Sequence, residues 1–466
     1  MSFLSVEFAL CFVLFFALYW SVRPFPRLQN GLLLIASYGI LASFSWYAAA
    51  AIAGYTLFTY VMSLLIWRQA SKRWLIFAML AAVINLAVFK YFDFFRSSVQ
   101  SVLTGLGLDV LLPGMEILIP LGISFYTFHS VSYLVDLYKN KLQPVSLPTY
   151  ALYLAFFPSV VAGPINRAQH LLPQILPDQP RNLEQSARAY VLILLGIAKV
   201  YWLSAFLADT WANPVFANPL EYNSLDVLLG LYAYALQLFL NFSGYTDLVT
   251  GVALLLGFKL PVNFNAPYLA NNLRDFWQRW HISLSTWIRD YIYIPLGGNR
   301  DGFTRTQINL MLAMLISGLW HGASYNFILW GAIHGFGVVL LNVADQYFGR
   351  NALTNKLPLL AGFITVQYVC FAWIFFRSPT WEGSLEFLTA LGSNLQIPLQ
   401  FNAPWYLAGF FILWRLYPLL AKLPNGLTCL LQRTPWVVQP ILVVLIAWGL
   451  ITLAPAGIPG FIYANF

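Results

Sequence analysis

The chain alternates between apolar runs of about 20 residues and short connections that hold much of its positive charge. A bilayer-spanning helix needs roughly 20 apolar residues, and such windows fall at about 4–22, 31–46, 47–67, 74–91 and 116–137. Arg23 and Arg27 follow the first window, Arg68, Lys72 and Arg73 the third, and Lys139 and Lys141 the fifth. Alternate connections are therefore basic, which assigns those three to the cytoplasm and the N-terminus to the outside; Lys90 and Arg96 run against the pattern. Composition agrees, with 60% hydrophobic and 9% charged residues, where a soluble domain carries about 25% charged. Too few polar groups exist to cover a water-facing surface, so the chain is expected to face lipid as a multi-pass membrane protein. The net charge of +8 is spread over loops between apolar runs, which speaks for topology and not for nucleic acid.

Phe3 to Trp20 lacks the basic start and small-residue cleavage site of a signal peptide, so it reads as a retained helix. Cys11, Cys370 and Cys429 are far apart and apolar in context, which predicts packing roles and neither a disulfide framework nor a metal site. Glu116 to Tyr138 contains Ser124, Tyr126, Thr127, His129 and Asp136 and is expected to pack against protein. Pro158 and Pro164 break the stretch Tyr150 to Ile165, which reads as short or re-entrant. A proline-rich connection, 166–184, carries His170 as a solvated loop residue. Helix resumes from Gln185 to Leu207 with Lys199 inside it, and again from Leu225 to Leu256. The latter is expected to be interrupted at Asn241-Phe-Ser-Gly-Tyr-Thr-Asp247, because irregular polar backbone at membrane depth needs a cavity around it.

Between Arg274 and Arg305, five arginines and three aspartates mix with Trp277, Trp280, Trp287, Tyr291 and Tyr293. That composition predicts an amphipathic helix at the cytoplasmic headgroup level, with the turn at Gly297 and Gly298 leading back into the membrane. Apolar blocks at Leu357 to Phe376, Pro404 to Leu420 and Trp436 to Leu453 close the chain. The sum is an all-α polytopic protein of about ten to thirteen spanning and re-entrant helices, without internal repeat or soluble domain. It reads as one membrane-embedded domain, residues 1–466, divided into N-terminal helices (1–115), a core (116–350) and C-terminal helices (351–466).

Ionisable groups inside a membrane mark function by default. His321 follows Ile308 to Trp320, thirteen uncharged residues; His334 and His129 are further intramembrane candidates, and His281 sits in the Arg- and Trp-rich stretch. The bland readings are a neutral histidine bridging two helices and, for His281, a solvated interfacial ring. Imidazole is the side chain best matched to accept a proton from an alcohol at neutral pH. Two histidines with Tyr, Ser and Asn nearby suit acyl transfer, one as base and one as donor to the developing oxyanion. No Gly-x-Ser-x-Gly, His-Glu-x-x-His, P-loop or complete Gly-x-Gly-x-x-Gly is present. The residues alone thus reach a membrane enzyme or a transporter with a histidine-lined polar cavity.

Asp275-Phe-Trp-Gln-Arg-Trp-His-Ile-Ser-Leu-Ser-Thr-Trp-Ile-Arg-Asp-Tyr-Ile-Tyr-Ile-Pro-Leu-Gly-Gly298 and Gly318-Leu-Trp-His-Gly322 carry more. Together they closely resemble the signature of the membrane-bound O-acyltransferase family, nearest its bacterial branch of alginate O-acetyltransferase proteins. Further landmarks are Gly122-Ile-Ser-Phe-Tyr-Thr-Phe128, Val161-Ala-Gly-Pro-Ile165, Phe242-Ser-Gly-Tyr245, Leu256-Gly-Phe-Lys-Leu-Pro261, Trp330-Gly-Ala-Ile-His-Gly335, Phe375-Phe-Arg377 and Phe461-Ile-Tyr463. Asn241 departs from an Asp expected there. The resemblance implies a ring of helices around a central cavity, with His321 as the catalytic residue and His281 as the second polar position. It further implies acetyl transfer from a cytoplasmic donor, acetyl-coenzyme A or a carrier thioester, through the membrane toward hydroxyls of an exported polysaccharide such as alginate. Exported acetyltransferase partners and membrane lipids are the other expected contacts, and no bound cofactor is expected. Arg274, Arg279 and Arg289 are candidates for holding the donor, with Trp280, Ser285, Asn241 and His334 around the site. The alternatives are D-alanyl transfer to teichoic acid, acyl transfer to lipid or protein, a histidine-lined transporter and a non-catalytic export scaffold.

Overall fold

The computed structural model describes residues 5–108, 111–114, 120–160, 163–176 and 180–454. The start of the fifth apolar window, Val161 and Ala162 of one landmark, Pro177 and Asp178, and the landmark Phe461 to Tyr463 lie outside the described residues. Every regular element among the described residues is a helix.

The backbone packs into two compact units. The first comprises Met1–Ala189 with Val249–Pro261 and is built from helices α1 (Val6–Ser21), α2 (Pro26–Phe44), α3 (Trp46–Gln69), α4 (Lys72–Gly105), α5 (Ile123–Tyr138), α6 (Leu147–Ala155), α7 (Phe157–Val160) and α8 (Ala168–Ile175). Their starts follow the sequence: Ser5 and Ser45 accept backbone N–H bonds at the N-termini of α1 and α3, and Pro26 opens α2. The break between α6 and α7 at Phe156 gives the short element expected at Tyr150 to Ile165. His170 lies exposed, on α8 and not in a loop. His129, on α5, is fully buried, and its Nε2 accepts the Asn166 backbone N–H at 3.1 Å. It is one of the histidines that join elements. Buried Arg181 donates to Asn30 Oδ1 (2.6 Å) and to the carbonyls of Gln174 and Ile175 at the end of α8, with its guanidinium 4.6 Å from the Phe258 ring. A cation at a helix C-terminus meets carbonyls that lack intrahelical partners.

The second unit comprises Tyr190–Leu248 with Val262–Phe466. A helix over Ser186–Ala217, here α9, contains π-helical turns at Ala198–Ser204 and Ala208–Ala212. Next comes α10 (Ser224–Leu255), which runs unbroken through Asn241 to Asp247. The expected interruption is absent because the patch finds partners while staying helical: Asp247 accepts from Lys199 at 2.6 Å, and Gly196 and Gly244 let the two backbones touch. The predicted interfacial helix is in fact two seven-residue helices, α11 (Leu273–Arg279) and α12 (Ile282–Ile288), broken at Trp280 and His281. A π turn over Arg289–Tyr293 and the bend at Gly297 and Gly298 lead into α13 (Gly302–His321), with Asn309 Nδ2 donating to the Gly298 carbonyl at 3.0 Å. Then follow α14 (Tyr325–Phe348), α15 (Ala352–Lys356), α16 (Pro358–Arg377), α17 (Trp381–Ser393), α18 (Ala403–Leu420), α19 (Leu423–Gln432) and α20 (Val438–Thr452).

Among the described residues, α3, α4, α9, α10, α14 and α16 are long and apolar enough to cross a membrane, and α18 with α19 forms a further candidate bent by 45°. Short apolar helices at Glu7–Ser21, Leu147–Val160 and Val438–Thr452 add to these. The chain is an all-helical, multi-pass membrane protein in which short and broken helices accompany the long spans.

Candidate active site

Helices α13 and α14 form a hairpin whose backbones touch. A Cβ on Gly318 would stand 2.2 Å from the Phe327 carbonyl oxygen, and one on Gly331 would stand 2.5 Å from that of Met314. Small residues at such a crossing are how membrane helices gain packing contact where lipid offers no hydrophobic drive. The crossing places His321, the last residue of α13, against α14 and α16. Asn326 holds that arrangement, its Nδ2 donating to the carbonyls of Ser378 (2.9 Å) and Thr380 (2.8 Å) beyond α16. Further along, the Tyr368 hydroxyl donates to the Ile333 carbonyl at 2.6 Å.

His321 is 2% exposed. Its ring meets those of Trp320 (4.8 Å between centroids), Trp330 (4.9 Å), Phe376 (5.0 Å) and Phe327 (6.4 Å). His334, one turn beyond Trp330 on α14, is fully buried and surrounded by Trp330 (4.8 Å), Trp277 (5.0 Å), Phe276, Trp373 and Tyr368. Neither nitrogen of His334 has a hydrogen-bond partner among the described residues.

His281 is 1% exposed and caps α12 with φ 43° and ψ 53°. Left-handed backbone is uncommon for a residue with a Cβ and persists only where surroundings enforce it. Here the segment before α11 does so. Asn263 accepts the Ile282 N–H through its carbonyl (3.0 Å) and the Ser283 hydroxyl through Oδ1 (2.8 Å), and the Asn265 N–H donates to the Arg279 carbonyl (2.9 Å). Ser285 straps the same break, its N–H donating to the His281 carbonyl (3.0 Å) and its hydroxyl to that of Trp280 (3.2 Å). The His281 ring then lies on Phe242 (4.7 Å) and Trp320 (6.0 Å). It lies outside the spanning helices, and burial pushes its imidazole down to about 3, so the ring is neutral at physiological pH.

One row results: His281, Trp320, His321, Trp330, His334. Each tryptophan touches the histidine on either side. The rings flanking the row come from the signature segments and landmarks themselves: Phe242, Phe276, Trp277 and Phe376. Reading the sequence for titratable groups missed these rings, although the motifs containing them were in view. Imidazole is the side chain in this box that can accept a proton near neutral pH, and the surrounding rings shield it from water.

The other candidates fall differently. Trp280 is 1% exposed and packs on Trp373 (5.1 Å), Phe264 (5.2 Å) and Phe276 (5.7 Å). Asn241 is buried on α10 beside Phe242. Arg274 donates to Asn342 Oδ1 (2.7 Å), Asn351 Oδ1 (2.9 Å) and the Asp345 carboxylate, tying α11 to the end of α14. Arg279 donates to Asp275 (2.6 Å) and the Asn265 carbonyl, and Arg289 donates twice to Asp290 (2.7 and 3.2 Å). These guanidinium groups brace their own surroundings.

A polytopic helical membrane protein with buried imidazoles boxed by aromatic rings, its signature residues converging on them, belongs to the class of membrane-embedded acyl-transfer enzymes. The chain is a member of the membrane-bound O-acyltransferase family, whose model matches residues 115–378. It is similar to the "Probable alginate O-acetylase AlgI" of Pseudomonas aeruginosa, at 38% identity over 79% of this chain and 70% of that protein. It is also similar to the "Peptidoglycan O-acetyltransferase" of Helicobacter pylori, at 32% identity over 84% of this chain and 78% of that protein. The "Teichoic acid D-alanyltransferase" of Bacillus subtilis is 30% identical over 55% of this chain and 68% of that protein.

Proposed function

We propose that this O-acyltransferase moves an acetyl group from a cytoplasmic donor toward hydroxyls of an exported polysaccharide, with His321 as general base. The observation that carries the reading is the convergence of the signature segments on one buried row of rings from His281 through Trp320 to His321. In this reading His321 takes the proton from the acceptor hydroxyl as the oxygen attacks the acyl carbonyl of the thioester. The C–S bond breaks as the new ester C–O bond forms, and the donor leaves as its thiol with the proton returned by His321. His281, held neutral by burial, orients or polarises the donor, and His334 acts as a cavity residue. The donor is acetyl-coenzyme A or a carrier thioester, with exported acetyltransferases receiving the group outside. Arg274, Arg279 and Arg289 serve the donor side by bracing the scaffold around His281. The alternating basic loops support a cytoplasmic membrane location with the N-terminus outside. The likeness to alginate and peptidoglycan O-acetylating proteins favours a polysaccharide acceptor over lipid or protein. D-alanyl transfer is the second reading, supported by the likeness to teichoic acid D-alanyltransferases.

The test is His321→Ala, read by protein level in the membrane and by O-acetyl content of envelope polymers. Loss of a general base removes about 10² to 10⁴ of rate, so acetylation is expected to disappear at normal protein level. Normal acetylation in a normally accumulating variant refutes the assignment, and esterified D-alanine in place of acetate selects the second reading.

A further inference from the structure

A cavity of about 570 Å³ lies within the second unit, lined by none of the three histidines, between α9, α10, α16 and α18. Its floor is buried and its rim exposed. Ala235, Cys370, Trp211 and Tyr268 form the floor at 2–6% exposure, while Phe206, Phe411 and Leu413 on the rim are 48–53% exposed. On α18 the wall runs from Leu407 to Leu420 at helical spacing, a length of about 20 Å at 1.5 Å rise per residue. The feature is thus a slot lying along the membrane helices and open on one side.

Several of the polar groups lining the slot are tied to the protein. The Tyr232 hydroxyl donates to Gln367 Oε1, the Tyr268 hydroxyl to the Ala235 carbonyl (2.7 Å), and Trp414 Nε1 to the Tyr268 carbonyl (2.8 Å). A water molecule needs two to four polar partners, and this lining, mostly Leu, Phe and Trp, is too apolar to fill with water. An empty void of this size would cost the packing contact that interiors otherwise maintain. α9, α10 and α16 are spanning helices, so the solute in reach of the open side is lipid hydrocarbon, and about 20 Å exceeds the depth of one leaflet, roughly 15 Å of a 30 Å core.

We propose that this slot holds one acyl chain of a membrane glycerophospholipid, which fills the gap between α18 and the rest of the unit and is not a substrate. The claim is independent of the acyl-transfer mechanism. Its probe is a phosphatidylethanolamine carrying a photoactivatable diazirine near the end of one acyl chain, incorporated into mixed phosphatidylethanolamine and phosphatidylglycerol vesicles with the full-length protein. After irradiation, peptide mapping is expected to place adducts on Phe363 to Cys370 and Leu407 to Leu420. Leu407→Trp and Leu413→Trp, which narrow the slot without touching the histidine row, are expected to lower those adducts at least tenfold while unfolding temperature holds. Adducts confined to other lipid-facing helices, or undiminished in the narrowed but folded variants, overturn the proposal. Displacement of the probe by an equimolar long-chain acyl thioester also overturns it, by making the slot an acyl-donor site.

Discussion

Replacing Gly318 with alanine tests whether the α13–α14 contact sets the position of His321. The added methyl would stand 2.2 Å from the Phe327 carbonyl oxygen and 3.1 Å from Gly331 backbone. Relief to ordinary van der Waals distance requires the hairpin to part by about 1 Å, and no side chain can turn away, because the obstacles are backbone. Overpacking of this kind costs about 1–3 kcal/mol. The helix-propensity gain of alanine over glycine, about 1 kcal/mol, offsets only part of it. His321 lies one turn further on, so the opening shifts its imidazole relative to Trp330 and Phe376. A misplacement near 1 Å costs on the order of 10²-fold in rate. Gly318→Ala is therefore expected to reduce polymer O-acetylation about 100-fold with a modest fall in unfolding temperature in detergent. Gly392→Ala, where a Cβ meets nothing within 4 Å, is the control and should match the parent. If Gly318→Ala retains both full acetylation and the parental unfolding temperature, the close contact does not position the histidine.

Other outcomes follow from the same geometry. His281→Asn keeps a residue that tolerates left-handed backbone while removing the imidazole; it should fold normally and lose activity, whereas retained activity would reduce His281 to a backbone role. The same variant reads out pH. With the folded imidazole near 3 and the unfolded one near 6.5, the unfolded chain binds more protons between those values. His281 therefore lowers stability as pH falls through that window, with a slope of up to about 1.4 kcal/mol per pH unit. His281→Asn should flatten the acid limb of the unfolding-temperature profile, and an unchanged limb refutes the assignment. Asp247→Asn leaves Lys199 facing a neutral partner inside two spanning helices and is expected to destabilise by roughly 3 kcal/mol, whereas Lys199→Met with Asp247→Leu together should recover most of it. Equal unfolding temperatures for the single and double variants would show that the pair carries no such load.

Much of the site was written in local sequence without being readable as contacts. Phe242, Trp320, Trp330 and Phe376 each lie in a segment conspicuous as a landmark, yet what each ring does is set by helices from distant parts of the chain. The Asn241 to Asp247 patch misled for a related reason. Its polar residues looked like a break in α10 because the partner that accommodates Asp247, Lys199, is 48 residues away. The aspartate partners of Arg274, Arg279 and Arg289 were likewise not legible as contacts: Asp345 lies 71 residues from Arg274, whereas Asp275 and Asp290 are close in sequence to Arg279 and Arg289.

Sequence by itself determined that the chain lives in a membrane and which family it joins, but not which helices are long enough to cross it. The windows at 4–22, 31–46 and 116–137 are not among the spanning helices of the described residues, and Tyr325–Phe348 is. Membrane residence and family rest on apolar run length and on unusual contiguous motifs, both readable one segment at a time. Tertiary structure alone decided that the interfacial stretch breaks at His281 in left-handed backbone, that the signature rings enclose three histidines in one row, and that His281 and His321 share Trp320. Such pairings depend on helix register and crossing distance between segments far apart in the chain, here the backbone contact at Gly318 and Gly331 and the hold of Asn263 on residues 282 and 283.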